Sequence, residues 1–152
     1  MLVQTVNFGS LEIAGNKVIT FKEGLPGFPQ IHRFAVIELE ELKPFKYLQS
    51  LDEPPISLFI INPFLLDPNY EFRLTDPDME DVQSTNSAEL AVYAVATIPE
   101  DPSGATINFM APIVINDKEQ CGKQVILHES KYSVKHPLLH RASQDEVKAW
   151  EA

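Results

Sequence analysis

Short runs of alternating apolar and polar residues, separated by turn-forming residues, restrict the fold of this chain more than any other feature. Leu2–Ile13 and Val18–Phe21 alternate in this way, with Gly9-Ser10 and Gly15-Asn16 between the runs. A period of two is that of half-buried strands, and glycine with asparagine marks tight turns. The N-terminal part therefore predicts antiparallel strands joined by turns.

The same criteria predict strands along most of the remaining chain. Leu90–Ile98 contains alanines that a helix would accept, but its β-branched residues and the following Pro99 favour a central strand. Ile56–Ile61 is apolar except for Ser57 and is expected to be buried on both faces. The other predicted strands are Phe34–Leu39, Lys46–Gln49, Ala105–Ile115 with a bulge or edge at Pro112, and Gln124–Leu127 after a turn at Asn116–Gly122.

Proline and glycine also predict the connections. In Gly24–Pro29, Pro26 sets the φ of the second position of a type II turn and Gly27 supplies the positive φ of the third. Asp76-Pro77 predicts one helical turn with Asp76 as the N-cap. Ser143-Gln144-Asp145-Glu146 has the spacing of a capping box, which predicts a short C-terminal helix reaching Trp150.

Many short strands in 152 residues predict a mainly all-β fold. Closure of the sheet would remove the exposed edges that invite aggregation, so we expect an antiparallel β-barrel-like fold with short helical segments. No repeat, low-complexity tract or long linker divides the sequence. We therefore expect residues 1–152 to form a single domain.

Negative charge is concentrated in the middle of the chain. The net charge is −10, and residues 34–101 contain 14 acidic and three basic residues. An acidic protein is repelled by nucleic-acid phosphates and attracted to basic proteins. The acids either form a solvated surface that maintains solubility or a docking face for a cationic partner.

The sequence also predicts a cytoplasmic location. The single Cys121 cannot form an intramolecular disulfide, and a free thiol persists most easily in a reducing compartment. No basic residue precedes Lys17 and no apolar run follows, unlike a signal peptide. The longest apolar run, Leu90–Ile98, is far shorter than the ~20 residues that a membrane helix needs.

No catalytic or cofactor motif is complete. Asp78 and Asp81 could form an acid–base pair, but with 22 acidic residues such a pair is expected by chance. Cys121 and His128 lack any sign of an oxyanion hole. The glycines match neither of the usual phosphate-binding loops. We expect no catalytic residue and no cofactor.

No metal motif is complete either. His136 and His140 have the spacing of two zinc ligands on a helix, but Pro137 lies between them and no Cys or Glu frame accompanies them. Asp76-x-Asp78-x-Glu80 begins like a calcium loop but has Asp81 where that loop needs glycine. The sequence therefore predicts no metal site.

An ordered set of motifs covering nearly the whole chain closely resembles the FliW flagellar assembly factors. The motifs are Gly24–Phe28, Pro44–Asp52, Pro63-Phe64, Thr106–Asn116, Gly122–Leu127, Tyr132 and His136-Pro137-Leu138. The resemblance implies a small cytoplasmic, non-catalytic, β-barrel-like protein. It also implies two alternative protein partners: flagellin before export, and CsrA, an RNA-binding repressor of flagellin mRNA translation.

The acids of the middle segment are our candidates for partner binding, because an RNA-binding repressor must have a basic surface. The candidates are Glu38, Glu40, Glu41, Asp67, Glu71, Asp76, Asp78, Glu80 and Asp81, with Phe64 as an apolar anchor. For flagellin we expect an apolar groove or a strand edge. Two other functions stay open: a hydrolase that uses paired carboxylates, and a barrel that holds a small apolar ligand.

Overall fold

The computed structural model describes residues 1–128 and 131–138, which contain ten strands, one α-helix and several 3-10 turns. The strands are β1 Leu2–Thr5, β2 Gly9–Glu12, β3 Ile19–Phe21, β4 Arg33–Ile37, β5 Lys46–Ser50, β6 Ser57–Ile61, β7 Ala91–Thr97, β8 Thr106–Asn116, β9 Cys121–Gln124 and β10 His136–Pro137. The helix is α1, Asp76–Asp81. The all-β prediction is confirmed.

Seven strands form a closed barrel in the order β8-β7-β6-β5-β4-β3-β9, because β9 also pairs with β8. β10 pairs with the start of β8. The predicted barrel is confirmed, with one correction to its antiparallel character: β3 and β9 are parallel, with Thr20 opposite Cys121. Strand direction cannot alternate all the way round a ring of seven, so one neighbouring pair must be parallel.

β1 and β2 form a separate two-stranded hairpin beside the barrel. The predicted turn at Gly9-Ser10 is wrong: residues 6–8 make the turn, and Gly9 opens β2 with φ +66°. A three-residue loop followed by a glycine with positive φ is a common connection between two antiparallel strands. The hairpin is fastened at its tip, where Val6 N donates to Pro54 O at 3.2 Å and the Phe8 and Tyr47 rings lie 4.8 Å apart.

The region after β8 differs from the prediction by about three residues. The turn occupies 117–120, and the strand is Cys121–Gln124 rather than Gln124–Leu127. Gly122 lies in this strand, where a Cβ would meet Phe21 Cζ at 2.8 Å. Glycine therefore permits close packing here and does not mark a turn. The predicted irregularity at Pro112 is confirmed by a register shift between β7 and β8.

Two of the predicted local motifs lie in the described residues. The type II turn is confirmed, since Phe28 N donates to Leu25 O at 2.7 Å and Gly27 has φ +89°. The helix at Asp76 is confirmed, but its N-cap is Thr75 and not Asp76. The C-terminal helix predicted at Ser143–Trp150 lies outside the described residues.

The barrel interior is filled by apolar side chains. Phe21, Phe34, Leu48, Ile60 and Ile113 belong to one cluster and are fully buried. A second cluster on the outside of β7 and β8 is covered by residues 66–72 and 132–138. β6 contributes to both, but only its last two residues are fully buried, so the expected burial of Ile56–Ile61 holds for two of its six residues.

Candidate functional site

Three of the predicted acids follow β4 and lie in solvent. Glu38 and Glu40 each accept one ion pair, from Lys46 Nζ at 2.6 Å and from Lys43 Nζ at 2.9 Å. The hydrogen bond from Lys46 lowers the pKa of Glu38. Glu41 is exposed as well. This loop therefore presents three exposed carboxylates, two of them in ion pairs.

Phe64 projects from the 3-10 turn Pro63–Leu65. The turn begins at Asn62, whose Oδ1 accepts the Phe64 N–H at 2.9 Å, and proline fits the first position of such a turn. The side chains of Phe64 and Leu65 are 40% and 61% exposed. Two adjacent exposed apolar residues are the kind of feature that marks a contact surface.

Two grooves meet at Phe64. The larger one, of about 580 Å³, is lined by Phe64, Glu71, Arg73, Met79 and Leu90 among others. The smaller one, of about 410 Å³, contains Leu65, Lys46 and Tyr93. Since Lys46 also holds Glu38, the second groove connects Phe64 to the acids that follow β4. Apolar contact area and carboxylates are thus combined around Phe64.

The acids of α1 divide into two pairs. Thr75 Oγ1 accepts the Asp78 N–H and Asp78 Oδ2 accepts the Thr75 N–H, both at 3.1 Å, which makes a capping box. Lys123 Nζ on β9 lies 2.9 Å from Asp78 Oδ1 and 2.6 Å from Asp81 Oδ2. Asp78 and Asp81 therefore hold the helix on the barrel. Asp76 and Glu80 remain exposed.

Lys123, Asp78 and Asp81 form a group of ion pairs that we call the clamp. Its electrostatics keep both carboxylates ionised. Burial disfavours the charge on Asp78, but hydrogen bonds from Lys123 and Thr75 outweigh it and lower the pKa. The hydrogen bond from Lys123 lowers the pKa of Asp81, with a smaller contribution from Lys22. Lys22 Nζ lies 3.3 Å from Asp81 Oδ1 and is mostly exposed.

The remaining two acids lie between Phe64 and α1. Asp67 is half-buried, and its Oδ1 accepts the Asn69 N–H at 2.9 Å. Glu71 is exposed, while its backbone N–H donates to Tyr132 Oη at 2.9 Å. The structure thus brings Glu71 and Phe64 to one groove and leaves six predicted acids fully in solvent. We call these the exposed acids: Glu38, Glu40, Glu41, Glu71, Asp76 and Glu80.

Neither open alternative finds its supporting feature in the described residues. A carboxylate-dependent hydrolase would need an acid with a raised pKa in a concave pocket. Every carboxylate pKa shift found in residues 1–128 and 131–138 is downward, as at Glu38, Asp78 and Asp81. A ligand-holding barrel would need a roomy interior, but fully buried side chains fill this one.

The predicted histidine pair can be examined only in part. His136 is exposed on β10 and packs against the Phe109 ring at 4.8 Å, while His140 lies outside the described residues. Within the described ranges, no three His, Cys, Asp or Glu side chains are grouped closely enough to hold a metal ion. No helix in those ranges is long and apolar enough to cross a membrane.

Sequence reasoning missed three residues that shape this region. Leu65 extends the exposed apolar surface, and its position next to Phe64 in a turn that starts at Asn62-Pro63 was an available signal. Arg73 lines the larger groove. Lys123 selects which acids turn inward, and no local pattern pointed to it, since it lies 42 residues from Asp81.

Known proteins of one family are similar to this chain over most of its length. A sequence model of the family described as FliW protein matches residues 2–138. A flagellar assembly factor FliW from Thermosipho africanus (strain TCF52B) is 40% identical over 138 residues, which cover 90% of this chain and 95% of that protein. The protein of the same name from Bacillus subtilis (strain 168) is 34% identical and covers 91% of this chain and 96% of its own length.

The fold agrees as well. A crystal structure of the flagellar assembly factor FliW superposes with a TM-score of 0.87 at 35% sequence identity, covering 94% of this chain and 100% of the other. Both the family match and the relatives span nearly the whole chain, and the identities exceed 30%. This chain therefore belongs to the FliW family of flagellar assembly factors.

Proposed function

We propose that this chain is a non-catalytic, cytoplasmic regulator of flagellar assembly that binds flagellin and, alternatively, the translational repressor CsrA. The observation that carries the proposal is the combination of exposed acids with the apolar surface of Phe64 and Leu65. Its relatives are named as flagellar assembly factors. We also propose that residues 1–152 form one domain, since the hairpin tip, α1 and β10 all contact the barrel.

Electrostatics supports CsrA as one partner. An RNA-binding protein gains affinity by placing lysine and arginine against phosphates, so its surface is basic near the RNA site. A protein of net charge −10 is attracted to that surface and, once bound, repels RNA. We therefore expect inhibition without complete coverage of the RNA site. A complex in which this chain contacts every RNA-binding residue of CsrA would contradict that mechanism.

Alternation between partners would couple flagellin synthesis to export. While this chain holds CsrA, flagellin mRNA is translated. When unexported flagellin accumulates, it binds this chain, and released CsrA represses translation again. The scheme requires the two partners to exclude each other, although their sites need not coincide.

Size-exclusion chromatography with purified partners tests the proposal. We expect this chain to elute in a complex with CsrA alone and with flagellin alone, and we expect flagellin to release CsrA from the preformed complex. Raised salt should weaken the CsrA complex, because exposed charges are screened. Failure to associate with either protein would refute the proposed function, and a stable three-protein complex would refute the alternation.

A further inference from the structure

The N-terminal hairpin has a free strand edge. Met1 and Ile13 exchange both backbone hydrogen bonds, at 2.7 and 2.9 Å. Bonded and non-bonded pairs alternate along an antiparallel ladder, so Leu2 and Gln4 are non-bonded pairs with Glu12 and Ser10. Their backbone N–H and C=O groups point away from β2, and β1 pairs with no other strand in the described residues.

The part of the β1 edge that another strand could pair with ends at Val6. Val6 is the next residue whose backbone points outward, and its N–H is already bound to Pro54 O. One face of β1 is buried, since Val3 and Thr5 are 3% and 8% exposed and face the protein. Four backbone groups, two donors and two acceptors on Leu2 and Gln4, are thus available to an added strand.

β1 lacks the features by which proteins usually protect an edge. Charged side chains and proline discourage strand pairing, and β1 contains neither. The outward-facing residues of β2 include Glu12, which is the only charged side chain among residues 1–16. β1 also presents Leu2 at 64% exposure, and Val6 beyond it is 66% exposed. The unprotected edge is therefore the apolar one.

We propose that the outer edge of β1 binds an extended, apolar and uncharged segment of flagellin by strand addition. This inference rests on the proposed binding of flagellin and assigns a place to it. Charge distinguishes the two partners. The hairpin has one charged side chain and attracts a basic protein such as CsrA only weakly, whereas the exposed acids, which attract CsrA, lie on residues 38–80. Backbone pairing supplies affinity, and Leu2 and Val6 supply apolar contact.

This site is compatible with exclusion of CsrA. Phe8 at the hairpin tip packs on Tyr47, and the preceding residue, Lys46, holds Glu38. A partner as large as flagellin, once anchored on β1, reaches the acids that follow β4. Two sites can therefore exclude each other's ligands by bulk without sharing residues.

Amide hydrogen exchange followed by NMR, with and without monomeric flagellin, tests the proposal on the unmodified chain. We expect the amides of Leu2 and Gln4 to exchange fast alone and to become protected when flagellin binds, while those of Ser10 and Glu12 stay unchanged. Protection of Ser10 and Glu12, or of neither pair, would overturn the assignment. So would protection of Leu2 and Gln4 that rises with concentration of this chain alone, which would indicate a second copy on the edge.

Two sets of variants give an independent measurement by calorimetric titration. Gln4→Pro removes an outward N–H from β1, and Glu12→Pro removes one from β2. We expect about tenfold weaker flagellin binding for the first and unchanged binding for the second, since one hydrogen bond contributes roughly that factor. The pair Leu2→Thr with Val6→Thr replaces two apolar side chains by a polar one that strands favour, and should also weaken binding. Ile126→Thr, at an apolar residue elsewhere that is 44% exposed, should not.

CsrA serves as the internal control for folding, because its binding should be unchanged in all of these variants. If Gln4→Pro and the Leu2 and Val6 double variant bind flagellin as strongly as the wild type, strand addition at β1 is refuted. The proposed binding of flagellin is then unaffected. Absence of flagellin binding by the wild-type chain would refute both the inference and the flagellin part of the proposed function.

Discussion

Lys123 determines which acids of α1 stay in solvent. Its side chain is 21% exposed and holds Asp78 and Asp81, which are 13% and 18% exposed. These two acids were chosen from the sequence for the same reason as Asp76 and Glu80, because all four are charged residues in an acidic run. Their different roles follow from the helical repeat, which directs residues three apart, such as 78 and 81, to one face.

Lys123→Met should lower the free energy of unfolding by about 2 kcal/mol at pH 7, because it removes the cation paired with Asp78 and leaves Asp81 with only the exposed Lys22. Both folded-state pKa values are lowered, so the clamp stabilises fully above the unfolded pKa of about 3.9 and loses this contribution as pH falls through the folded values. Urea unfolding at pH 7 and at successively lower pH should therefore show a difference between wild type and variant that is largest at pH 7 and shrinks as Asp78 and Asp81 become protonated.

Lys22→Met is the matched control, since Lys22 pairs with the same Asp81 but is 73% exposed. Exposed ion pairs contribute little, so its effect should stay within about 0.5 kcal/mol. Equal losses for Lys22→Met and Lys123→Met would contradict the importance of the buried clamp.

At the scale of elements, local patterns predicted where α1 lies but not how it begins. Asp76 before Pro77 is a good cap by composition, yet Thr75 before it can cap the helix while Asp78 returns a bond to the Thr75 N–H. A one-residue shift in the cap allows both bonds of the capping box, which explains the choice. Likewise, the sequence predicted a turn at Gly122. The reason for glycine there is close contact with Phe21, about 100 residues earlier, which no local pattern shows.

Thr75→Ala should reduce the free energy of unfolding by about 1 kcal/mol, because it removes the side chain that accepts the Asp78 N–H. Asp76→Ala, at the first helical position and exposed, should cost only a few tenths of a kcal/mol through the helix dipole. Thermal or urea unfolding of both variants measures this. A larger loss of stability for Asp76→Ala than for Thr75→Ala would indicate that Asp76, and not Thr75, is the N-cap.

At the scale of the whole molecule, net charge and its location make separate contributions to partner choice. The charge of residues 34–101 attracts any basic protein, but a specific interface also requires the carboxylates to lie near apolar contact area such as Phe64 and Leu65. These contributions can be separated because exposed acids also occur outside that segment, at Glu23, Asp117 and Glu119.

Reversal of three exposed acids, Glu40→Lys, Glu41→Lys and Glu71→Lys, should weaken CsrA binding tenfold or more and flagellin binding less than threefold, since only CsrA is held by charge. Glu23→Lys, Asp117→Lys and Glu119→Lys change the net charge equally at other sites and should affect CsrA much less. Titration calorimetry at low and physiological salt measures both. Equal losses for the two partners would contradict the separation of their sites.

Sequence alone determined the strand-rich character, the Pro26-Gly27 turn and the concentration of acids, because these follow from local periodicity, fixed φ values and composition. It also determined the family, through the ordered set of motifs that resembles FliW. Only the tertiary structure decided the parallel closure of β3 on β9, the inward turn of Asp78 and Asp81, and the free edge of β1. Each of these depends on residues far apart in the chain. Which groups meet, and which backbone groups are left unpaired, is set by how the barrel closes and not by any local pattern.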